Sequence, residues 1–283
     1  NYEVNDCSFS FTRRGMDVMN LVEVVRQQAI TQPEKTAYYF MGKGTSYAEL
    51  EGTVSRFASA LQNLGVKKGD NVALLLGNSP HFIIGLYATM RLGATAIPIN
   101  PIYTADEISY IIDNGDVKAV IALDLLLPLV EAGVKAFPQV GAYIVCETTP
   151  DIGEKYAGLS DAAKTKTQLF MQVLASASGM VDPVEVDVDD TAVILYTSGT
   201  TGHPKGAMLT HGNLYSNARD VGEYLGINGD DRVITTLPVF HVFALTVVVN
   251  APLMQGATLL LIPRFSPADV FTAAAEYKAT VFA

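Results

Sequence analysis

An α/β fold with mostly parallel sheets follows from three observations on this chain of 283 residues. Short apolar runs alternate with amphipathic stretches of helical period. The apolar runs are continuous instead of alternating, the pattern of strands buried on both faces and therefore of parallel pairing. Helix starts and stops are spelled out between the runs by capping residues, prolines and glycines.

The elements can be justified in order. Within 16–28, Leu21, Val24, Val25 and Gln28 stand at helical spacing. Lys35 to Phe40 is apolar and aromatic, and Gly42-Lys43-Gly44 turns the chain. Ser46-Tyr47-Ala48-Glu49 is a capping box, in which hydroxyl and carboxylate each accept from an otherwise orphaned backbone N–H. It opens a helix with Leu50, Val54, Phe57, Ala58, Leu61 and Leu64 on one face, and Gly65 ends it. Val72 to Leu76 reads as a strand, Ser79-Pro80 as a helix start with Pro in the first turn, and Gly93 as its stop. Ala94 to Ile99 is a strand, and Thr104-Ala105-Asp106-Glu107 is a second capping box. Val117 to Ala122 and Ala142 to Cys146 are strands around a helix from Leu125 to Ala136.

Residues 147–190 break the rhythm. They are polar and rich in small and acidic residues, and they predict a connection between two units with a short helix near 168–175. The rhythm resumes with a strand from Ala192 to Tyr196 and a later helix with Leu214, Ala218, Val221 and Leu225 on one face. Strands at Arg232 to Leu237 and Ala257 to Ile262 flank an apolar helical stretch. Ser266-Pro267-Ala268-Asp269 caps a helix that ends near Lys278, and Thr280 to Ala283 opens a further strand. A strand cut at this point predicts that the chain is part of a longer one.

Composition narrows the function classes. Apolar residues make up 49% and charged residues 17%, enough for a sizeable core and too little polarity for disorder. The net charge of −10 argues against a general nucleic-acid binder. Cys7 and Cys146 form neither a disulfide framework nor a metal pattern and read as free thiols of a reducing compartment. Asn1 begins no basic-then-apolar leader, and the longest apolar stretch, 242–254, is too short to span a bilayer and carries Asn250 and Pro252. The expectation is a cytoplasmic protein with no transmembrane segment. Membrane association and a homodimeric state are left open.

The chemistry concentrates in Tyr196-Thr197-Ser198-Gly199-Thr200-Thr201-Gly202-His203-Pro204-Lys205-Gly206. Glycines let backbone N–H groups approach a ligand, hydroxyls donate to phosphate oxygens, and Lys205 adds charge. The segment predicts a phosphate cradle. It is not a Walker loop. Counting from Gly199, Pro204 stands where the second Gly belongs, and Gly206 follows the lysine where a hydroxyl belongs. No G-x-G-x-x-G follows a strand, and Tyr196 occupies the first Gly of a G-x-S-x-G elbow.

The ordered string from Tyr196 to Gly206, continued by Ala207-Met208-Leu209-Thr210-His211-Gly212-Asn213-Leu214, resembles the signature of the AMP-forming acyl-activating family. That family comprises acyl-CoA synthetases, adenylation domains and luciferases, and the resemblance runs along essentially the whole chain. It implies ATP, Mg2+ and coenzyme A as cofactor and co-substrates. Thr197, Ser198, Gly199, Thr200, Thr201, Gly202 and Lys205 would hold the β- and γ-phosphates, Lys205 would be catalytic, and Thr200 would contact the metal. Leu237-Pro238-Val239-Phe240-His241-Val242-Phe243-Ala244 resembles the segment that lines the acyl pocket, so Phe240 and His241 become substrate-lining. Without the resemblance, a histidine among aromatics reads as a core residue. His81, His203 and His211 read as structural, His211 as a helix starter, and Lys67-Lys68 as a solvated turn.

The resemblance also implies an organisation. Residues 44–175 would form a first α/β subdomain. Residues 1–43 with 189–283 would form part of a second that carries the phosphate loop, with the family's C-terminal domain absent. The implied activity is that of a fatty-acyl-CoA ligase, closest to the bacterial long-chain type. An aryl-acid-CoA ligase, an acyl-AMP ligase and a non-catalytic nucleotide-binding fragment stay open. The family's Tyr-Gly-x-Thr-Glu segment, ribose-binding Asp, phosphate-side Arg and adenylation Lys are not in this sequence, which predicts that the chain alone is inactive.

Overall fold

The computed structural model describes residues 20–177, 179–197 and 204–283. Five predicted site residues, Ser198, Gly199, Thr200, Thr201 and Gly202, lie outside the described residues, as do Cys7, His203 and the start of the 16–28 helix. Among the described residues twelve strands run in order: β1 Thr36–Phe40, β2 Lys43–Ser46, β3 Asn71–Leu75, β4 Thr95–Pro98, β5 Val117–Leu123 and β6 Ala142–Cys146, then β7 Thr167–Leu169, β8 Thr191–Thr197, β9 Lys205–Thr210, β10 Arg232–Thr235, β11 Thr258–Leu261 and β12 Val281–Phe282. They form a seven-stranded sheet, β7-β6-β5-β3-β4-β8-β9, and a five-stranded sheet, β12-β10-β11-β1-β2. Neighbours are parallel except the hairpins β8–β9 and β1–β2. The fold is α/β with mostly parallel sheets, as the continuous apolar runs require.

Alternate residues of β3 explain the layering. Val72 and Leu74 join the main core with Phe57, Leu86 and, from the second sheet, Leu259 and Leu261. Ala73 and Leu75 join a separate core with Ile97, Ile111 and Tyr143 on the opposite face. The main core therefore cements the two sheets together. Helix Pro80–Arg91 sits within it, buried at every position from Phe82 to Arg91, which is why its sequence is apolar on all sides. Both predicted capping boxes form, Ser46 with Glu49 and Thr104 with Glu107.

The 147–190 segment is not a connection between units. It contains helices Ile152–Ala157, Asp161–Lys166 and Phe170–Ser176 and the edge strand β7, then runs as a strap past helices Tyr47–Asn63 and Pro80–Arg91 into β8. Ser55 Oγ donates to Val181 O at 2.9 Å and accepts from Val181 N at 2.9 Å. Arg91 Nε donates to the same carbonyl and pairs with Glu51 at 2.7 Å. Lys68, read as a solvated turn residue, holds Asp190 at 2.8 Å and Glu185 O at 3.0 Å. Charged and small residues gave no periodic signal because their partners lie far away in sequence.

The expected boundary between 175 and 189 does not coincide with the division into sheets. β8 pairs in parallel with β4, Ala96 opposite Val193, and Thr95 Oγ1 donates to Thr191 O at 3.0 Å. The β8–β9 hairpin therefore belongs to the first, seven-stranded sheet and not to the second. The second sheet is built from β1 and β2 with β10, β11 and β12.

The apolar stretch after β10 also departs from a simple helix. It runs as a short α-helical segment at Val242–Ala244, a π-helix at Leu245–Asn250 and a second short α-helical segment at Ala251–Met254. Pro252 has no N–H to give to Val248 O. The Thr235 hydroxyl supplies that bond instead, at 2.9 Å.

Candidate functional site

β8 and β9 form a hairpin whose rungs end at Thr197 opposite Lys205. The sequence showed β8 but not β9, because Lys205, Gly206, Ala207 and Met208 are all exposed and carry no apolar alternation. Thr197 Oγ1 donates to Lys205 O at 3.4 Å, and both side chains are exposed. The last rung thus sets the Thr197 hydroxyl beside the Lys205 backbone at the carboxyl end of β8, with residues 198–203 joining the two strands. Ligands of open α/β sheets bind at that end of the strands.

The rung below fixes the hairpin to the sheet. Tyr196 stands opposite Gly206, and its hydroxyl donates to Asn114 Oδ1 at 2.8 Å. A Cβ at 206 would lie 2.8 Å from Ile194 Cγ2 and 3.2 Å from Tyr196 Cζ. Glycine is needed here for close approach, not for an unusual φ.

Helix His211–Leu225 leaves the hairpin through a third capping box, Thr210 with Asn213. Those two residues, rather than His211, begin the helix. Gly212 N donates to Val188 O at 2.9 Å, and a Cβ on Gly212 would collide with the Val188 side chain. His211 is buried, its Nε2 has no protein partner, and burial lowers its pKa.

The second predicted segment follows β10. Phe240 is half-buried against the main core. His241 is exposed and not enclosed by Phe240 and Phe243. Its Nδ1 accepts from Phe243 N at 3.3 Å, capping the short helical segment Val242–Ala244, and its backbone N–H donates to Pro238 O at 2.9 Å. Val242 and Phe243 beside it are 49% and 52% exposed, an apolar surface open at the end of the second sheet.

Two contacts join the segments. Thr246 Oγ1, in the π-helix after His241, donates to Asn217 Oδ1 at 2.9 Å, in the helix after the phosphate hairpin. Asn78, just beyond β3, makes four bonds to the Thr235, Leu237, Val239 and Ile262 backbone. Asn78 was not singled out from sequence. Its signal was an amide directly after a strand end, in front of Ser79-Pro80, at a helix whose N-cap makes no side-chain bond.

The larger cavities lie elsewhere. One of about 500 Å³ is lined by Tyr39, Met41, Pro263, Glu276, Tyr277 and neighbours, and an open depression of about 600 Å³ by Asp124, Pro128, Lys155, Ser160 and neighbours. Thr197, Lys205, Phe240 and His241 line neither. Among the described residues no three His, Cys, Asp or Glu side chains converge as a metal site, and no helix is long and apolar enough to cross a membrane.

Comparison with known proteins shows the family and the fold. The model of a family described as AMP-binding enzyme matches residues 25–283. A Mycobacterium tuberculosis protein named long-chain-fatty-acid–CoA ligase FadD13 is 33% identical over 93% of this chain and 49% of its own length. A feruloyl-CoA synthase of Amycolatopsis is 31% identical over 90% of this chain and 46% of its own length. The solved N-terminal domain of FACL13 from Mycobacterium tuberculosis superposes with a TM-score of 0.79 at 30% identity, covering 93% of this chain and 62% of that one. The chain spans about half the length of the curated relatives it matches.

Proposed function

Because the chain belongs to the AMP-binding enzyme family, we propose that it forms the nucleotide- and carboxylate-binding part of an AMP-forming acid–thiol ligase. A carboxylate oxygen attacks the α-phosphorus of ATP, and the bond to the β-phosphate oxygen breaks. Acyl-adenylate forms and pyrophosphate leaves. The sulfur of coenzyme A then attacks the acyl carbon, the thiol loses its proton, and AMP departs with the bonding pair. The observation that carries this reading is the Thr197–Lys205 rung at the carboxyl end of β8.

In this reading Lys205, Thr197 and the 198–203 backbone hold the β- and γ-phosphates. Lys205 stabilises the charge that builds on departing pyrophosphate. Magnesium would accompany ATP and screen its phosphate charge. The hydroxyl assigned to it, Thr200, lies outside the described residues.

His241 and Phe240 would border the acyl group. The open apolar pair Val242 and Phe243 favours a fatty acid. The named feruloyl-CoA synthase relative favours an aryl acid as the second reading. Pyrophosphate release by the full-length protein, with palmitate and ferulate compared, separates the two. Lys205→Ala should lower kcat by about 10²-fold or more. Unchanged pyrophosphate release in that variant would remove Lys205 from the chemistry.

A further inference from the structure

We propose that Asn78 is a positioning residue that locks the Leu237–His241 segment, and with it the carboxylate end of the site, onto the sheet that carries the phosphate hairpin. The proposal rests on the ligase reading for the word carboxylate, and on geometry alone for the lock.

The need for such a lock follows from the sequence. β10 ends at Thr235, and Pro238 has no N–H. Thr235 O still accepts from Ile262 N at 3.0 Å, but beyond it the backbone groups of Leu237 and Val239 leave the ladder, and Val239 is fully enclosed. Buried backbone groups left unpaired are costly. Asn78 supplies the partners from the other sheet. Its Nδ2 donates to Leu237 O at 2.9 Å, Ile262 O at 3.2 Å and Thr235 O at 3.5 Å. Its Oδ1 accepts from Val239 N at 3.0 Å. Carbonyls on one side and an N–H on the other fix which way the amide points. The bonds then pass along the segment, from Val239 to Pro238 O, which accepts from His241 N at 2.9 Å.

The position of Asn78 makes this more than a core bond. In the order β4-β3-β5, β4 lies on one side of β3 and β5 on the other, so the direction of winding reverses at β3. That is the switch point where sheets of this type usually take a ligand. Here the loop leaving β3 instead grips the ends of β10 and β11. β8 lies two strands from β3, about 10 Å across the sheet. Asn78 thus ties the segment bearing His241 to the sheet whose strand bears Thr197, beside the Thr246–Asn217 bond.

Asp in this place keeps the shape and the acceptor for Val239 but sets an oxygen against three carbonyls. Asn78→Asp in the full-length protein should raise KM for the carboxylate about tenfold, the value of one lost bond, and leave KM for ATP within about twofold. Asn78→Ser, which retains one short donor, should fall between. Parallel rises in both KM values would refute a positioning role. Amide exchange on the unaltered 283-residue chain tests the lock without any variant. The Val239 amide, outside every strand, should exchange as slowly as the β3 amides. If it exchanges like an open loop, the lock is wrong whatever the activity. If the unaltered full-length protein releases no pyrophosphate with any carboxylate, the ligase reading fails, and the carboxylate half of the proposal with it.

Discussion

Replacing Gly206 by Ala tests how the phosphate hairpin is held. Gly206 lies in a strand with no positive φ, so the backbone should welcome Ala by about 0.5–1 kcal/mol. Against that gain stands the new methyl group, 2.8 Å from Ile194 Cγ2 and 3.2 Å from the Tyr196 ring. Relieving such overpacking costs about 1–3 kcal/mol. If the Tyr196 ring gives way, its 2.8 Å bond to Asn114 is lost as well, worth about 1 kcal/mol. The net expectation is a destabilisation of about 1–3 kcal/mol. Urea unfolding followed by far-UV circular dichroism measures it, since the chain contains no tryptophan. Tyr196→Phe isolates the hydrogen bond and should cost about 1 kcal/mol. In an Ile194→Ala background the Gly206→Ala penalty should shrink by about 1 kcal/mol or more, because the nearest obstacle is gone. A Gly206→Ala variant within about 0.5 kcal/mol of the parent, or an equal cost in both backgrounds, would refute the account of a hairpin pinned by close approach.

Two further predictions follow from buried polar groups. Burial lowers the pKa of both His81 and His211, whose Nδ1 and Nε2 respectively lack protein partners. The unfolded chain then takes up protons first, so stability is full above the ordinary histidine value near 6.5 and falls as pH drops through the lowered folded values. Thermal melts between about pH 7 and 5 should show this loss, and His81→Asn with His211→Asn should flatten it; an unchanged slope would count against burial as the cause. The Glu51 carboxyl has a raised pKa because burial outweighs the help of Arg91. Glu51→Gln should therefore cost about 2–3 kcal/mol by weakening the bond that Arg91 receives, while Glu51→Leu with Arg91→Met should cost clearly less; a double variant worse than the single one would show that Arg91, through the ion pair and its bond to Val181 O together, stabilises the strap.

The parts of the fold that were legible in the sequence are those determined by neighbours along the chain. The capping boxes at Ser46 and Thr104, the helix start at Pro80 and the continuous run Ala142 to Cys146 each carry their own local signal, and each occurs as an element. What escaped depends on distant partners. β9 has no apolar pattern because its residues face outward, and it is a strand only because β8 lies beside it. The strap is held by Ser55, Lys68 and Arg91, none of which lies near it in sequence. The same is true of the site. Its glycine–hydroxyl–lysine string is visible by composition, whereas Asn78 gains its role from four backbone atoms more than a hundred and fifty positions away.

The place of β1 has a consequence in time. This strand lies between β2 and β11, with Tyr38 opposite Leu259. On a ribosome adding about 5–20 residues per second, the two are made roughly ten to forty seconds apart. The seven-stranded sheet has its last strand at Thr210, well before β11 exists. The β1–β2 hairpin, the first among the described residues, thus waits for β11, and the second sheet closes only after the first has all its strands.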